Sequence, residues 1–207
     1  MLKYRLYRSI TYHLDPQMTL QPVTAIESST LVDRLRFLAD RHPSKQAYTV
    51  LSDGREEGQP LTYAALDRQV RAIAAVLQSE GRRGERALLL YPPGAEVIAA
   101  FCACLYAGVI AVPVPPPEAG RLKRALPRMK AILKDAGASL VLTTDRTIAL
   151  LQEVRAQFPE FEDMRWIDTE TIDLDLADRW QASQLNPHHL AYLQYTSGST
   201  AAPKGVM

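Results

Sequence analysis

From Thr30 onward, hydrophobic positions recur with two alternating periods, about 3.6 residues and about 2. Thr30 followed by Asp33 has the form of a capping box, and Leu31, Leu35 and Leu38 then fall on one helical face. The helix should stop before Pro43, because the residue preceding proline avoids helical geometry. "QAYTVL" (46–51) predicts a strand, "SDGREEGQ" a turn-rich loop and "PLTY" a second strand, together a hairpin. Leu66, Val70, Ile73 and Leu77 return to helical spacing, with Gly81 as the stop. "RALLLY" (86–91) is a short continuous apolar run, the mark of a strand covered on both faces. "AEVIAAFCACLYAG" is apolar nearly all round, hence a buried helix, and "VIAVPV" is the next strand. Strand, buried helix and strand within about 30 residues make a βαβ unit with a right-handed crossover.

The pattern then turns amphipathic. In "RLKRALPRMKAILKDAGA", Leu122, Leu126, Met129, Leu133 and Ala136 form one stripe. Arg121, Lys123, Arg124, Arg128, Lys130 and Lys134 occupy the rest, a solvated face. Pro127 either starts the regular helix or kinks it. "SLVLTT" predicts a strand, "RTIALLQEVRAQF" a helix and "MRWID" a further strand, followed by an acidic loop with Glu170, Asp173, Asp175 and Asp178. "LAYLQYT" (190–196) is the last predicted strand. The alternation is that of an α/β fold, a mainly parallel sheet flanked by helices, with one open sheet running from about residue 46 to 196.

Composition narrows the function. The chain has 207 residues, 47% hydrophobic and 23% charged, with a net charge of +1. That balance gives no field to recruit nucleic acid or an acidic membrane surface. The longest apolar run, around Val97–Val114, is broken by glycine and prolines and predicts core, not a transmembrane segment. Two cysteines, Cys102 and Cys104, sit two apart in a helical stretch and point to different faces, so they predict core thiols in a reducing cytoplasm. No His/Cys cluster has metal-ligand spacing, so no metal site is assigned to the chain. Residues 1–29 lack a clean period. They read as an irregular arm, or as a mis-called extension ahead of a start at Met18.

The chemistry concentrates at the end of the last predicted strand, in "LQYTSGSTAAPKGVM" (193–207). A loop past the carboxyl end of a strand is where open α/β sheets bind ligands. Gly198 lets the backbone approach a bulky anion closely. Successive N–H groups can form an anion nest, with the hydroxyls of Thr196, Ser197, Ser199 and Thr200 as further donors. Lys204 adds a mobile positive charge. The Walker pattern, G-x-x-x-x-G-K followed by Ser or Thr, is not matched, because Pro203 stands where its second glycine belongs. Ser199 also lacks the G-x-S-x-G setting of a hydrolase nucleophile.

"YTSGSTAAPKGVM" resembles the phosphate-binding signature of adenylate-forming enzymes: acyl-CoA synthetases, peptide-synthetase adenylation domains and luciferases. Their usual form is Tyr or Phe, T-S-G, Ser or Thr, then T-G-x-P-K-G-V. The match holds at Tyr195–Thr200 and Pro203–Val206 and departs at Ala201, where most members have glycine. Fatty acyl-AMP ligases commonly lack that glycine and often show "LQYTSGST". "LSDGREEGQPLTYAALDRQVRAIAAVLQ" and "LYPPGAEVIAAFCACLYAGVIAVPVPPP" look like the same subgroup.

The resemblance implies that residues 30–207 are the amino-terminal part of an AMP-binding (adenylation) domain, truncated in the phosphate loop. It implies ATP and Mg2+ as cofactors and a fatty acid as substrate. The fatty carboxylate attacks the α-phosphate to give acyl-adenylate and pyrophosphate. The acyl group then passes to an acyl carrier protein, free or within a polyketide or peptide synthetase module. Thr196, Ser197, Gly198, Ser199 and Thr200 would hold the β- and γ-phosphates, and Lys204 would neutralise the leaving pyrophosphate. The isolated chain is expected to be inactive, since the adenine and acyl sites would follow Met207. Two alternatives stay open: an acyl-CoA synthetase fragment, and a non-catalytic binding or scaffold domain.

Overall fold

The computed structural model describes residues 30–52, 56–80, 82–117, 122–155, 161, 163–196 and 204–207. Residues 1–29, Gly81 and Arg121 therefore lie outside the described residues, as do the side chains of Leu122, Lys123 and Arg124.

Helix α1 (Leu31–Arg41) begins where the capping box predicts. The Thr30 hydroxyl accepts from the Asp33 N–H at 3.2 Å, and Asp33 Oδ2 accepts from the Thr30 N–H at 2.9 Å. Its buried side is carried by Leu35, with Val32 packed beside it, while Leu31 at the first turn is exposed. Strands β1 (Gln46–Ser52) and β2 (Glu56–Thr62) pair antiparallel as the predicted hairpin. The second strand starts at Glu56, inside the stretch expected to be loop. A two-stranded ribbon accepts polar residues, because only its backbone has to pair.

Helix α2 (Tyr63–Ser79) buries Leu66, Val70, Ile73 and Leu77 as predicted. Between them sits Asp67, 3% exposed, which no apolar period anticipates. Its Oδ2 accepts from Arg36 Nη1 at 2.7 Å and Arg71 Nε at 2.9 Å, and its Oδ1 accepts from Tyr106 Oη at 3.0 Å. A carboxylate removed from water persists only with partners of this kind. Arg71 also donates to the Ala177 carbonyl at 2.8 Å, and the Arg36 guanidinium lies over the Trp180 ring.

The centre is a four-stranded parallel sheet in the order β4-β3-β5-β6, built from β3 (Arg86–Leu90), β4 (Ile110–Pro113), β5 (Leu140–Thr143) and β6 (Arg165–Asp168). The chain passes from β3 through α3 (Ala95–Ala107) to its neighbour β4. It then crosses back through α4 (Leu122–Ala136) to β5 on the other side of β3, and through α5 (Asp145–Arg155) to β6. Right-handed crossovers in opposite directions put α3 on one face and α4 and α5 on the other. Alternate side chains record this division. Ala87, Leu89 and Tyr91 pack with α2 and α3, whereas Leu88 and Leu90 pack with Leu126, Met129 and Ile132 of α4 and Leu151 of α5. Gly108 ends α3 at φ 72°, a left-handed conformation that glycine adopts without a Cβ clash.

Of the two readings of Pro127, the structure excludes the helix start, since the proline lies within α4. Two further expectations are corrected. The acidic loop contains a 3-10 segment, Leu174–Arg179, whose first turn is closed by the Asp173 carboxylate accepting from the Asp175 N–H at 2.9 Å. The sheet is not continuous from 46 to 196: the β1–β2 hairpin is separate, and so is a last pair, β7 (Gln194–Thr196) with β8 (Lys204–Val206).

The last correction has a local cause. Residues 191–193 do approach β4 as a parallel strand: the Ala111 N–H donates to the Ala191 carbonyl at 3.1 Å, and the Leu193 N–H donates to the Ala111 carbonyl at 2.8 Å. The next donor in that ladder belongs to residue 113. It is proline and has no N–H, so the pairing ends and the chain is released to pair elsewhere.

Candidate functional site

The released segment pairs instead with residues 204–206. In the antiparallel pair β7–β8, Gln194 stands opposite Val206, Tyr195 opposite Gly205 and Thr196 opposite Lys204. The two ends of the hydroxyl-rich stretch are thereby brought side by side, with Cα atoms of paired residues about 4.5–5.5 Å apart. Thr196 is exposed at the end of β7. Ser197, Gly198, Ser199 and Thr200 lie outside the described residues, and Lys204 is described by its backbone alone, as the first residue of β8.

One side chain fastens this pair to the body of the protein. Tyr195 is 7% exposed and packs among Leu88, Leu90 and the apolar side of α4. Its hydroxyl donates to Asp135 Oδ2 at 2.6 Å. Burial, and then the hydrogen bond to Asp135, push its pKa up to about 12, so the phenol stays protonated at neutral pH. Across the pair, Gly205 leaves room for the ring: a Cβ there would lie 3.0 Å from Tyr195 Cζ and 3.1 Å from its hydroxyl oxygen, a contact that the ring relieves only by shifting. Sequence periodicity did not single out Asp135, Tyr195 or Gly205 for this role. The available signal was a carboxylate in the last turn of a helix otherwise ending in Lys134, since the helix dipole disfavours a negative charge there.

At the carboxyl ends of β3, β5 and β6, a buried hydroxyl cluster joins the strands. Thr143 donates to the Leu90 carbonyl at 2.6 Å, Thr169 donates to the Thr143 carbonyl at 3.2 Å, and the Tyr91 and Thr169 hydroxyls lie 2.9 Å apart. All three groups are satisfied within the protein, which makes them ties between strand ends.

The cysteines and the two adjacent histidines near the last strand are structural. Burial raises the pKa of Cys102 to about 11 and pushes that of Cys104 up further, so neither is a thiolate nucleophile. His188 and His189 close a turn: the His188 N–H donates to Asn186 Oδ1 at 2.9 Å, and His189 Nδ1 accepts from the Asn186 N–H at 3.1 Å. A cleft of about 740 Å³ lies between the end of α2 and residues 176–184, lined by Arg82, Arg83 and Arg179, and shares no residue with the hairpin. No described helix is long and apolar enough to cross a membrane.

The model of the family described as AMP-binding enzyme matches residues 35–207. The chain is 49% identical over 182 residues to the medium-chain-fatty-acid–acyl-carrier-protein ligase JamA of Moorena producens, covering 87% of this chain and 31% of that protein. It is 33% identical over 183 residues to the long-chain-fatty-acid–AMP ligase FadD23 of Mycobacterium tuberculosis, with 87% and 31% covered. Among solved structures, it superposes on the fatty acyl-adenylate ligase of L. pneumophila, solved with acyl adenylate and pyrophosphate. The TM-score is 0.74 at 39% identity, over 86% of this chain and 30% of that one. The chain thus spans slightly under a third of the length of these relatives.

Proposed function

Because the chain belongs to the AMP-binding enzyme family, we propose that residues 30–207 are the amino-terminal part of the adenylation domain of a fatty acyl-AMP ligase. In this reading the whole protein, in the cytoplasm, activates a fatty acid as its acyl-adenylate at the expense of ATP. It then passes the acyl group to the phosphopantetheine thiol of an acyl carrier protein, free or within a synthetase module.

The pairing of Thr196 with Lys204 carries the reading. It brings the two ends of the stretch side by side, and the donor chemistry of that stretch fits a polyphosphate. Four hydroxyls and a lysine ammonium are available, and no carboxylate occurs from Thr196 to Lys204. Thr196, Ser197, Gly198, Ser199 and Thr200 hold the β- and γ-phosphates through backbone N–H and hydroxyl donors. Lys204 offsets the charge that collects on pyrophosphate as it leaves. Magnesium accompanies the triphosphate, and no residue of this chain is assigned to it. Positioning and charge compensation suffice for this chemistry without a side-chain nucleophile.

The test uses the protein at the full length of its relatives. Fatty-acid-dependent exchange of labelled pyrophosphate into ATP is expected. Lys204→Ala should slow it about ten- to a hundredfold, the worth of one charge-assisted phosphate contact, with fatty acid affinity unchanged. An unchanged exchange rate rejects the role given to Lys204. Release of acyl-coenzyme A in place of acyl carrier product assigns the chain to an acyl-CoA synthetase. No adenylation at all leaves a binding or scaffold domain.

A further inference from the structure

We propose that Asp135 is a positioning residue, which through Tyr195 holds Thr196 opposite Lys204 at the base of the loop. The assignment of that loop to phosphate rests on the function proposed above; the clamp itself rests on geometry alone.

Three observations carry it. First, the last turn of α4 carries a carboxylate at Asp135, where the partial negative charge of a helix end is unfavourable to it. Asp135 is exposed, so no packing requirement places it there either. Its Oδ2 accepts from Tyr195 at 2.6 Å, the short distance of a hydrogen bond to an ionised acceptor. Second, the Tyr195 ring lies against Gly205 on the opposite strand, so close that a Cβ at 205 would sit 3.0 Å from Cζ and force the ring to shift. The ring that Asp135 orients is therefore the surface against which β8 is pressed. Third, β7 and β8 are joined at only three paired positions, and among their described side chains only Tyr195 is buried. The strand keeps its bond to β4 as far as Leu193 and loses that ladder at Pro113, so beyond Leu193 Tyr195 is the described side chain of the pair that is buried against the body. The line of contact runs from Asp135 to the Tyr195 hydroxyl, through the ring to Gly205, and so to Lys204 beside it.

The experiment uses the 207-residue chain, with Asp135→Ala, Tyr195→Phe and the double variant. Three quantities are read: amide hydrogen exchange at 194–196 and 204–206, the thermal midpoint, and the dissociation constant for inorganic pyrophosphate. Either single variant should speed exchange at those amides about tenfold and weaken pyrophosphate binding about three- to tenfold, as loss of one charge-assisted hydrogen bond requires. The thermal midpoint should nearly hold, because the bond that is lost fastens a locally opening pair and Asp135→Ala also relieves an unfavourable charge at the helix end. The double variant should be no worse than the worse single one, since both remove the same bond. Asp135→Asn, which keeps an acceptor, should recover most of the loss. Unchanged exchange at 194–196 and 204–206 in Asp135→Ala, or additive effects in the double variant, overturns the proposal. Exchange that responds as expected in a chain that does not bind pyrophosphate sustains the clamp and removes the phosphate reading.

Discussion

The β3–α3–β4 unit and the β7–β8 pair lie close in space and are held by different means. In β3 every side chain from Ala87 to Leu90 is buried, and the strand is paired in parallel on both sides, at four positions with β4 and four with β5. Each fully buried leucine there contributes about 1.5–3 kcal/mol. In the β7–β8 pair, Gln194, Thr196, Gly205 and Val206 are exposed, and one ring and one hydrogen bond do the anchoring. The first region is redundant, so its stability is that of the whole domain. The second hangs on few directional contacts and can open alone, as segments that must admit a ligand commonly do.

Cutting into the redundant region should have the largest effect. Leu89→Ala removes a side chain that is 1% exposed and should destabilise the entire chain by about 2–5 kcal/mol in urea unfolding. A loss confined to local exchange around β3 would show that the sheet is not the cooperative core. Gly205→Ala should cost less and act locally. Its Cβ meets the Tyr195 ring, and overpacking of this kind costs about 1–3 kcal/mol. Faster exchange at 194–196 and 204–206, with a nearly unchanged urea midpoint, is the expected outcome. A midpoint shift as large as that of Leu89→Ala would erase the distinction between the two regions.

The smallest effect is alkaline. Burial beside Asp135 raises the Tyr195 pKa to about 12, above the ordinary value near 10. The folded state therefore favours the protonated phenol. That contribution is fully present below about pH 10 and is lost as pH rises through about 12. An ultraviolet titration of the wild type minus Tyr195→Phe should isolate one tyrosine ionising near the upper value. A difference curve centred at 10 would mean that the ring is not held as described.

Much of the core was legible because its signals are local. A run such as "RALLLY" has one reading when it is short and continuous, and the Thr30–Asp33 capping box is a complete instruction by itself. What escaped depends on partners distant in sequence. Residues 190–196 carry the pattern of a full strand, but its length is decided by Pro113 on another strand. The start of β2 at Glu56 escaped for a different reason: its partner Ser52 is near in sequence, but backbone pairing is a signal to which side-chain polarity is blind. Asp67 breaks the apolar period of α2, and only Arg36, Arg71 and Tyr106 explain it. For the site, the motif pointed to Thr196 and Lys204. That they stand opposite each other, held through Tyr195 and Asp135, required the fold.

The central claim is that the paired ends of the loop, Thr196 and Lys204, form the base of a polyphosphate site. It is tested most directly by titrating the chain with inorganic pyrophosphate while following backbone amide resonances. The largest shifts are predicted at Thr196, Lys204 and Gly205, with 86–112 unmoved. Saturable shifts centred on the cleft lined by Arg82, Arg83 and Arg179, with Thr196 and Lys204 silent, would contradict it.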